Sequence, residues 1–310
     1  MKRWLGRMLG AVLLLAGVGL LLYPHVRKGV SEMHTQRVVH QLEQRRQAVQ
    51  AAQGEGQTPS QEEQRYQTLY EDMQAYNVQL YQTRQEGLRD AWDYVRAPFR
   101  LEEYGVEEAV GYLTIPAMNL QLPVYLGATR ENLDRGAAVL GETSMPVGGE
   151  NTNCVIAGHR GWRGASMFLE IEALHLGDLV QLDNLWGTLT YEVVEVRIIQ
   201  PDEVEAVKIQ EGRDLLTLVT CHPYPTDAQR YLVYCQRIAP VQGEMEEETP
   251  PEGEVSAAPE PSPSQQPLPT STRSPSQEAI RREQQLNALG IPGAVALLAA
   301  AVLIWRKGRK

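Results

Sequence analysis

The amino-acid sequence predicts a mainly β protein, in which a single β-barrel domain with helices on its N-terminal side lies between two membrane-spanning helices. Uncharged apolar segments stand near both ends of the 310-residue chain. Between them, residues 31–96 are rich in Gln, Arg and Glu, whereas residues 111–240 contain short runs rich in Val, Ile, Leu, Thr and Tyr. The hydrophobic fraction of 43% is sufficient for a packed core.

The two apolar segments, residues 8–24 and 289–305, carry no charged side chain. Each is about 17 residues long, at the short limit for a helix that crosses roughly 30 Å of hydrocarbon. Basic residues occur in 1–7 and again in 306–310, so the positive-inside tendency places both termini in the cytoplasm and residues 28–286 outside. A cleaved signal peptide is the alternative for the first segment, although no small-residue cleavage site follows it.

Two helices are predicted in residues 28–88, between the first anchor and the strand region. The segment "GEGQTPS" separates them, and Ser60 with Glu63 has the pattern of a capping box at the start of the second helix. An apolar stripe follows on that helix: Leu69, Tyr70, Met73, Tyr76, Leu80 and Tyr81. We interpret this region as a stalk that packs on the following domain, with a coiled-coil partner site as the alternative.

From Gly111 onwards, strand-like runs alternate with Gly, Pro, Asn and Asp. The runs are "GYLTIP", "LPVYL", "NCVIAG", "LVQLD", "TLTYEVVEVRII", "LLTLVT" and "RYLVYCQRI". Such short strands predict a closed barrel or a sandwich, and we favour a barrel. A hairpin is predicted around residues 184–187, and "SMFLEIEAL" and "PDEVEAV" predict no more than a helical turn or two.

Residues 241–286 are acidic and Pro-rich with almost no apolar side chains, so they predict a disordered, extended tether to the second anchor. This tether accounts for part of the net charge of −10. An acidic balance gives no support to nucleic acid as a partner, and we expect none.

Three cysteines, an odd number, argue against a disulfide framework. Cys154 and Cys235 lie inside apolar strand runs, where a cysteine is usually a small core residue. Cys221 instead ends the run "LLTLVT", which is apolar on both faces and therefore central in the sheet. A thiol at the mouth of a rigid central strand suits a nucleophile, and we expect it to be free; a further core thiol is the alternative.

Six histidines could supply a base for such a thiol. Three belong to the anchor and stalk, His175 is expected at the surface, and His222 adjoins Cys221 but faces the other side of the strand. His159 remains, in "NCVIAGHRGWRG", where an apolar strand enters a glycine-flanked loop. Two strand ends can meet at one rim of a barrel, where a histidine can activate the thiol and protonate a leaving amine.

Arg230 begins the strand after Cys221, nine residues further on, so a hairpin-like return brings it to the same rim. Its guanidinium could stabilise a tetrahedral intermediate or hold substrate carbonyls, and a solvated arginine at a strand start is the alternative. The sequence has no CxxC or HExxH motif and its histidines are scattered, so we expect no metal and no other cofactor.

Together, "TLVTC", the arginine of "RYLV" and the upstream "VIAGHRG" resemble the signature of sortases, the cysteine transpeptidases of Gram-positive surfaces. The resemblance covers residues 111–238 and implies an eight-stranded sortase barrel with Cys221, His159 and Arg230 as catalytic residues. It also implies that an LPXTG-like sorting signal is cleaved between Thr and Gly through a thioacyl enzyme. An amine, instead of water, then resolves that intermediate.

The second anchor and the N-terminal helices resemble class C, the sortases that assemble pili and take the amine from a pilin lysine. That class carries a lid with an Asp-Pro-aromatic motif, and here "RDAWDYVRAPF" offers Asp90 and Trp92, with Ala91 where proline is usual. The resemblance implies that Asp90 pairs with Arg230 and that Trp92 covers Cys221 until substrate arrives. Packing of the stalk on the barrel is the alternative role of Trp92. The "CHPYP" loop departs from the commoner class C pattern.

We therefore expect a two-pass membrane protein of a Gram-positive bacterium, anchored in lipid, with its catalytic domain on the extracellular face. Its expected partners are proteins with LPXTG-type sorting signals, such as pilins, and an amine acceptor, either a pilin lysine or a peptidoglycan precursor. A wall-anchoring sortase, an extracellular cysteine peptidase and a catalytically idle scaffold are the alternatives. The expected divisions are a cytoplasmic N-terminus (1–7), an anchor (8–24), a helical stalk (28–88), a lid and linker (89–110), the barrel (111–240), a tether (241–286), a second anchor (289–305) and a basic tail (306–310).

Overall fold

The computed structural model describes residues 2–54, 60–88, 98–106, 109–161, 165–238 and 275–307. The helices in these ranges are α1 (Lys2–Gly54), α2 (Gln61–Gln82), α3 (Arg130–Arg135), α4 (Pro275–Ala288) and α5 (Gly290–Lys307). The strands are β1 (Gly111–Ile115), β2 (Leu120–Leu126), β3 (Ala137–Val139), β4 (Thr152–Ala157), β5 (Leu179–Asn184), β6 (Thr188–Ile199), β7 (Asp214–His222) and β8 (Gln229–Arg237). Single 3₁₀ turns are formed by Leu101–Tyr104, Pro116–Met118, Ile171–Ala173 and Val204–Val207.

The eight strands close into a barrel in the order β1-β2-β3-β4-β7-β8-β6-β5. The pairs β2/β3 and β4/β7 are parallel, and the other neighbours are antiparallel. Closure leaves the sheet without an open edge. The predicted eight-stranded barrel is therefore confirmed, and so is the predicted hairpin, in which β5 and β6 pair antiparallel around residues 184–187.

The barrel core is formed by strands whose two faces are both covered. Every residue of β4 and most of β7 are buried, as expected for a central parallel pair. Cys154 and Cys235 are 2% and 0% exposed and form no disulfide. Their interpretation as core thiols is confirmed. Cys221 is a free thiol, as predicted, and the structure shows it half-buried.

Helix α2 packs on the barrel through the predicted stripe, with one correction. The capping box of Ser60 and Glu63 is present, and Leu69, Met73 and Leu80 are buried. The assignment of Tyr81 to this face is wrong, because it is 37% exposed. Position 81 lies about 100° around the helix from Leu80, and Asn77 completes the buried face instead.

Helix α1 continues from the apolar N-terminal segment along the outside of the barrel. Arg46 donates a hydrogen bond to Asp183 at 2.7 Å, and the Tyr112 hydroxyl donates one to Glu43 at 3.1 Å. Among the described residues, one helical stretch, Gly10–Gln50, is long and apolar enough to cross a membrane, with a mean hydropathy of 1.5 in its most apolar window. The second predicted spanning segment falls in α5, and its insertion into a membrane stays a prediction.

The prediction of disorder is wrong for the last part of the tether, because residues 275–286 belong to α4. This helix packs on the loop between β7 and β8. The Tyr224 N–H donates to Ser276 Oγ at 3.1 Å, the Tyr224 hydroxyl donates to Glu283, and Ile280 is 4% exposed. One buried apolar side chain and two polar contacts hold a segment whose composition suggested a solvated chain. Residues 241–274 lie outside the described ranges.

Candidate active site

The register of the parallel pair β4/β7 brings His159 and Cys221 to one rim of the barrel. Ala157 is paired with Val219, and the Gly158 N–H donates to the Val219 carbonyl at 3.1 Å. Carboxyl ends of parallel strands lie at the same edge of a sheet. His159 therefore follows β4 beside the end of β7, where Cys221 lies.

The antiparallel pair β7/β8 places Arg230 directly opposite Cys221. The connecting loop, residues 223–228, allows the chain to return to the same rim. Cross-strand partners have Cβ atoms about 4.5–5.5 Å apart. The register thus brings all three residues that the sequence singled out to one rim of the barrel.

The surroundings of the Cys221 thiol favour its protonated form. Burial raises its pKa above the ordinary value. Arg230 and Arg160 lower this pKa, whereas Asp227 raises it. The thiolate is the reactive nucleophile, so a base at this rim has to accept the thiol proton.

The loop that carries His159 is held by its neighbours. The Phe168 N–H donates to the His159 carbonyl at 3.0 Å, and Thr220 Oγ1 donates to the Gly158 carbonyl at 2.7 Å. The His159 imidazole Nε2 lies 3.9 Å from Asp134 Oδ1. Sequence reasoning missed Asp134, since the six-residue helix α3 that carries it gave no periodic signal.

The Arg230 guanidinium is fixed by carbonyls of its own loop. Its Nη1 donates to the Asp227 carbonyl at 2.7 Å and to the Gln229 carbonyl at 3.0 Å. These bonds hold the positive charge at the rim opposite Cys221, where it lowers the pKa of the thiol. The arrangement can stabilise negative charge on sulfur or on a substrate oxygen.

A cavity of about 450 Å³ adjoins this rim. Gly161 and Tyr224 line it from the barrel, Pro24 and His25 from α1, and Glu283 from α4. The rim therefore faces the part of α1 that follows the apolar segment. Within the described residues, no group of three or more His, Cys, Asp or Glu side chains is arranged to hold a metal ion.

The residues predicted to form a lid, Asp90 and Trp92, lie outside the described residues. Their pairing with Arg230 and Cys221 stays a prediction.

The protein is thus a closed barrel with a cysteine, a histidine and an arginine at one end. Comparison with known proteins identifies the family to which this barrel belongs. Residues 113–238 match the family model of the sortase domain. The chain is similar to sortase D of Bacillus subtilis (strain 168), with 30% identity over 134 residues, or 42% of this chain and 65% of that protein. It is also similar to sortase A of Bacillus anthracis, with 32% identity over 127 residues, or 41% of this chain and 59% of that protein. The matched regions span less than two thirds of either relative.

Among solved structures, sortase C of Streptococcus pneumoniae is 32% identical, with a TM-score of 0.51, and the match covers 66% of this chain and 97% of that one. The description of that structure concerns catalysis and pilin substrate specificity. The chain belongs to the sortase family, whose members are cysteine transpeptidases. The resemblance to sortases inferred from the motifs is confirmed.

Proposed function

We propose that the protein is a membrane-anchored sortase that cleaves an LPXTG-like sorting signal between Thr and Gly and transfers the acyl group to an amine. The observation that carries this proposal is the meeting of Cys221, His159 and Arg230 at one rim of a sortase barrel. Each group has a chemical role there, and all three roles are needed for acyl transfer through a thiol.

In the first half-reaction, His159 accepts the proton from Cys221, and the thiolate sulfur attacks the threonine carbonyl carbon. Arg230 stabilises the negative charge on the carbonyl oxygen of the tetrahedral intermediate. The imidazolium of His159 then donates its proton to the glycine nitrogen as the C–N bond breaks, leaving a thioacyl enzyme. Asp134, 3.9 Å from the imidazole, stabilises this imidazolium while it exists.

In the second half-reaction, an amine attacks the thioester carbonyl carbon. His159 takes a proton from the attacking nitrogen, the C–S bond breaks, and the sulfur of Cys221 regains a proton. We propose a pilin lysine as the amine, in keeping with class C. The similarity to the pneumococcal sortase C, which has been described for its pilin substrate specificity, supports this choice.

Two features support a membrane anchor on each side of the barrel. In α1 the apolar residues Leu13, Leu15 and Leu20 are 65–77% exposed, which is expected of side chains that face lipid. Helix α5 packs on α1 closely enough that a Cβ on Gly290 would come within 2.7 Å of the Leu21 carbonyl oxygen. Small residues permit such close contacts between membrane helices. We therefore propose a two-pass topology with the barrel on the extracellular face.

The proposal is tested with the full chain in mild detergent, an LPXTG-type peptide, and mass spectrometry of the protein and the products. We expect an acyl adduct on Cys221, followed by an amide to an added lysine-containing pilin peptide, and no adduct on Cys221→Ala. Product formation that is independent of any amine would identify a cysteine peptidase. An amide formed only with a peptidoglycan-type amine would identify a wall-anchoring enzyme.

The lid hypothesis is tested in the same assay. If Asp90 and Trp92 mask the site, Asp90→Ala/Trp92→Ala is acylated faster than the parent chain at equal peptide concentration. An equal or lower rate would contradict a masking role.

A further inference from the structure

The residues that directly follow the three proposed catalytic residues contact one another. They are Arg160 after His159, His222 after Cys221, and Tyr231 after Arg230. Consecutive side chains of a strand point to opposite faces. In the β7/β8 register, His222 lies opposite Gln229, so Tyr231 is its diagonal neighbour on the same face. A second set of side chains therefore exists behind the rim.

These side chains contact one another around a buried arginine. Arg160 is 4% exposed, and its Nη1 donates to His222 Nδ1 at 2.9 Å and to the Cys221 carbonyl at 3.3 Å. Its Nη2 pairs with Glu172. The Tyr231 ring lies 5.7 Å from the guanidinium carbon of Arg160 and 5.5 Å from the His222 ring. We call Arg160, Glu172, His222 and Tyr231 the backing cluster.

The charges in the backing cluster are balanced. A buried guanidinium is costly unless it is paired and hydrogen-bonded, and the Glu172 carboxylate, whose side chain is 10% exposed, provides the opposite charge. Because a guanidinium only donates, a bond from Arg160 to His222 Nδ1 corresponds to the neutral ring with its proton on Nε2. Glu172 Oε1 lies 3.4 Å from the same Nδ1. Burial and the Arg160 charge lower the pKa of His222, against the opposing effect of Glu172, and so favour the neutral form.

We propose that the backing cluster positions the nucleophile, with Arg160 as the positioning residue that holds the Cys221 carbonyl and joins the ends of β4, β7 and β8. This inference rests on the proposed function, since it names a residue that acts on the reaction through Cys221. Arg160 directly follows His159, so one side chain fixes the backbone at both the base and the thiol. A displacement of about 1 Å at a reacting group can lower a rate by roughly 100-fold.

Three variants of the full chain in detergent test the proposal. Arg160→Lys keeps the charge but replaces the planar fork, in which Nη1 reaches His222 and the Cys221 carbonyl while Nη2 reaches Glu172, by a single nitrogen. His222→Gln keeps an acceptor for Arg160, whereas His222→Leu removes it at similar volume. We expect kcat for peptide transfer to fall about tenfold or more in Arg160→Lys and His222→Leu, while KM stays within about twofold of the parent value. In His222→Gln, kcat should stay within about threefold of the parent value.

A second readout needs no substrate. The rate of Cys221 alkylation by iodoacetamide, followed by mass spectrometry, is expected to fall about fivefold in Arg160→Lys and His222→Leu and to be retained in His222→Gln. Arg46→Lys, which weakens the ion pair of α1 with Asp183 on the outside of the barrel, is the control and should leave the alkylation rate unchanged.

The outcomes separate the two proposals. If Arg160→Lys keeps the kcat and the alkylation rate of the parent, the positioning role is wrong. Equal losses of kcat in His222→Gln and His222→Leu would also overturn it, because they would indicate a packing role alone. If Arg160→Lys does not fold, the comparison of His222→Gln with His222→Leu still tests the positioning role. If the parent chain transfers no peptide, the proposed function fails, and the alkylation rates alone then test the backing cluster.

Discussion

Among the single residues, Cys221 has surroundings that can be measured directly through the pH dependence of its alkylation. Burial raises the Cys221 pKa above the ordinary 9.0, and Arg230 opposes that effect. Only the thiolate reacts with iodoacetamide. We therefore expect the alkylation rate of Cys221 to rise with pH beyond 9.0 and the midpoint to move to still higher pH in Arg230→Ala, because the thiolate loses a stabilising charge. Arg230→Lys, which keeps the charge, should shift the midpoint less.

Mass spectrometry of the alkylated protein gives the measurement with internal controls. Cys154 and Cys235 are buried, and burial raises the pKa of both thiols far above the ordinary value, so both should stay unmodified in the folded protein. A midpoint that moves to lower pH in Arg230→Ala would contradict the assignment of Arg230 as the neighbouring positive charge.

The glycine before His159 provides a second prediction at this scale. A Cβ on Gly158 would lie 2.7 Å from a ring carbon of Phe168, which is fully buried and cannot move aside. We expect Gly158→Ala to destabilise the fold by about 1–3 kcal/mol and to lower transfer activity, since the base lies on the next residue. Thermal unfolding and the peptide assay measure both effects.

Gly187→Ala is the matched control, because a Cβ at position 187 meets nothing within 4 Å. It should keep both stability and activity. Equal stability and activity in Gly158→Ala and Gly187→Ala would show that the ring of Phe168 yields without displacing the loop.

Sequence reasoning found the three rim residues because each lies where an apolar run meets a loop. Cys221 ends a run, Arg230 begins one, and His159 follows one, so a barrel rim was the place where they could meet. Asp134 and Glu172 carry no comparable signal. One lies in a six-residue helix and the other in a single 3₁₀ turn, and their contacts depend on how the barrel closes.

Among the structural elements, α2 contacts the barrel through one buried amide in addition to its apolar face. Asn77 is 4% exposed, its Nδ2 donates to the Met145 carbonyl at 3.3 Å, and its Oδ1 accepts from the Met145 N–H at 2.6 Å. Asn77→Ala leaves the buried Met145 N–H unpaired, whereas the Met145 carbonyl still accepts from the Val147 N–H at 2.8 Å. We expect a loss of about 1–3 kcal/mol in the free energy of unfolding, measured by urea titration.

The control on the same helix is Gln74→Ala, because position 74 is exposed and alanine favours a helix. Its free energy of unfolding should stay within about 0.5 kcal/mol of the parent. Equal free energies of unfolding in the two variants would contradict a stabilising role for the Asn77 amide contacts.

The predicted strands show which elements a sequence specifies locally. The seven apolar runs of the sequence all form strands, whereas no run predicts β3. It has only three residues, and its position follows from pairing with β2 on one side and β4 on the other. The turns at Ile171–Ala173 and Val204–Val207 confirm the short helical segments, whereas α4 shows that a composition argument can hide a helix beside a Pro-rich stretch.

At the scale of the whole molecule, α1 relates the barrel to the predicted membrane. Pro24, which ends the apolar segment, and His25, which follows it, share a cavity with Gly161 and Tyr224 of the rim. Further along, Arg46 contacts Asp183 at the opposite end of the barrel. Arg46 lies 21 positions after His25, which corresponds to about 30 Å along the helix. This distance is comparable to the length of β7. We therefore expect the rim that carries Cys221 to be the end of the barrel that faces the membrane.

This orientation predicts a difference between probes at the two ends of β7. Thr226 lies in the exposed loop after β7 and Glu211 in the exposed loop before it, separated by roughly 25 Å of strand. In a Cys221→Ala background reconstituted into lipid nanodiscs, a fluorophore on Thr226→Cys should be quenched strongly by lipids with a nitroxide headgroup, and one on Glu211→Cys weakly. Equal quenching would mean that the barrel lies on its side, and stronger quenching at position 211 would reverse the orientation.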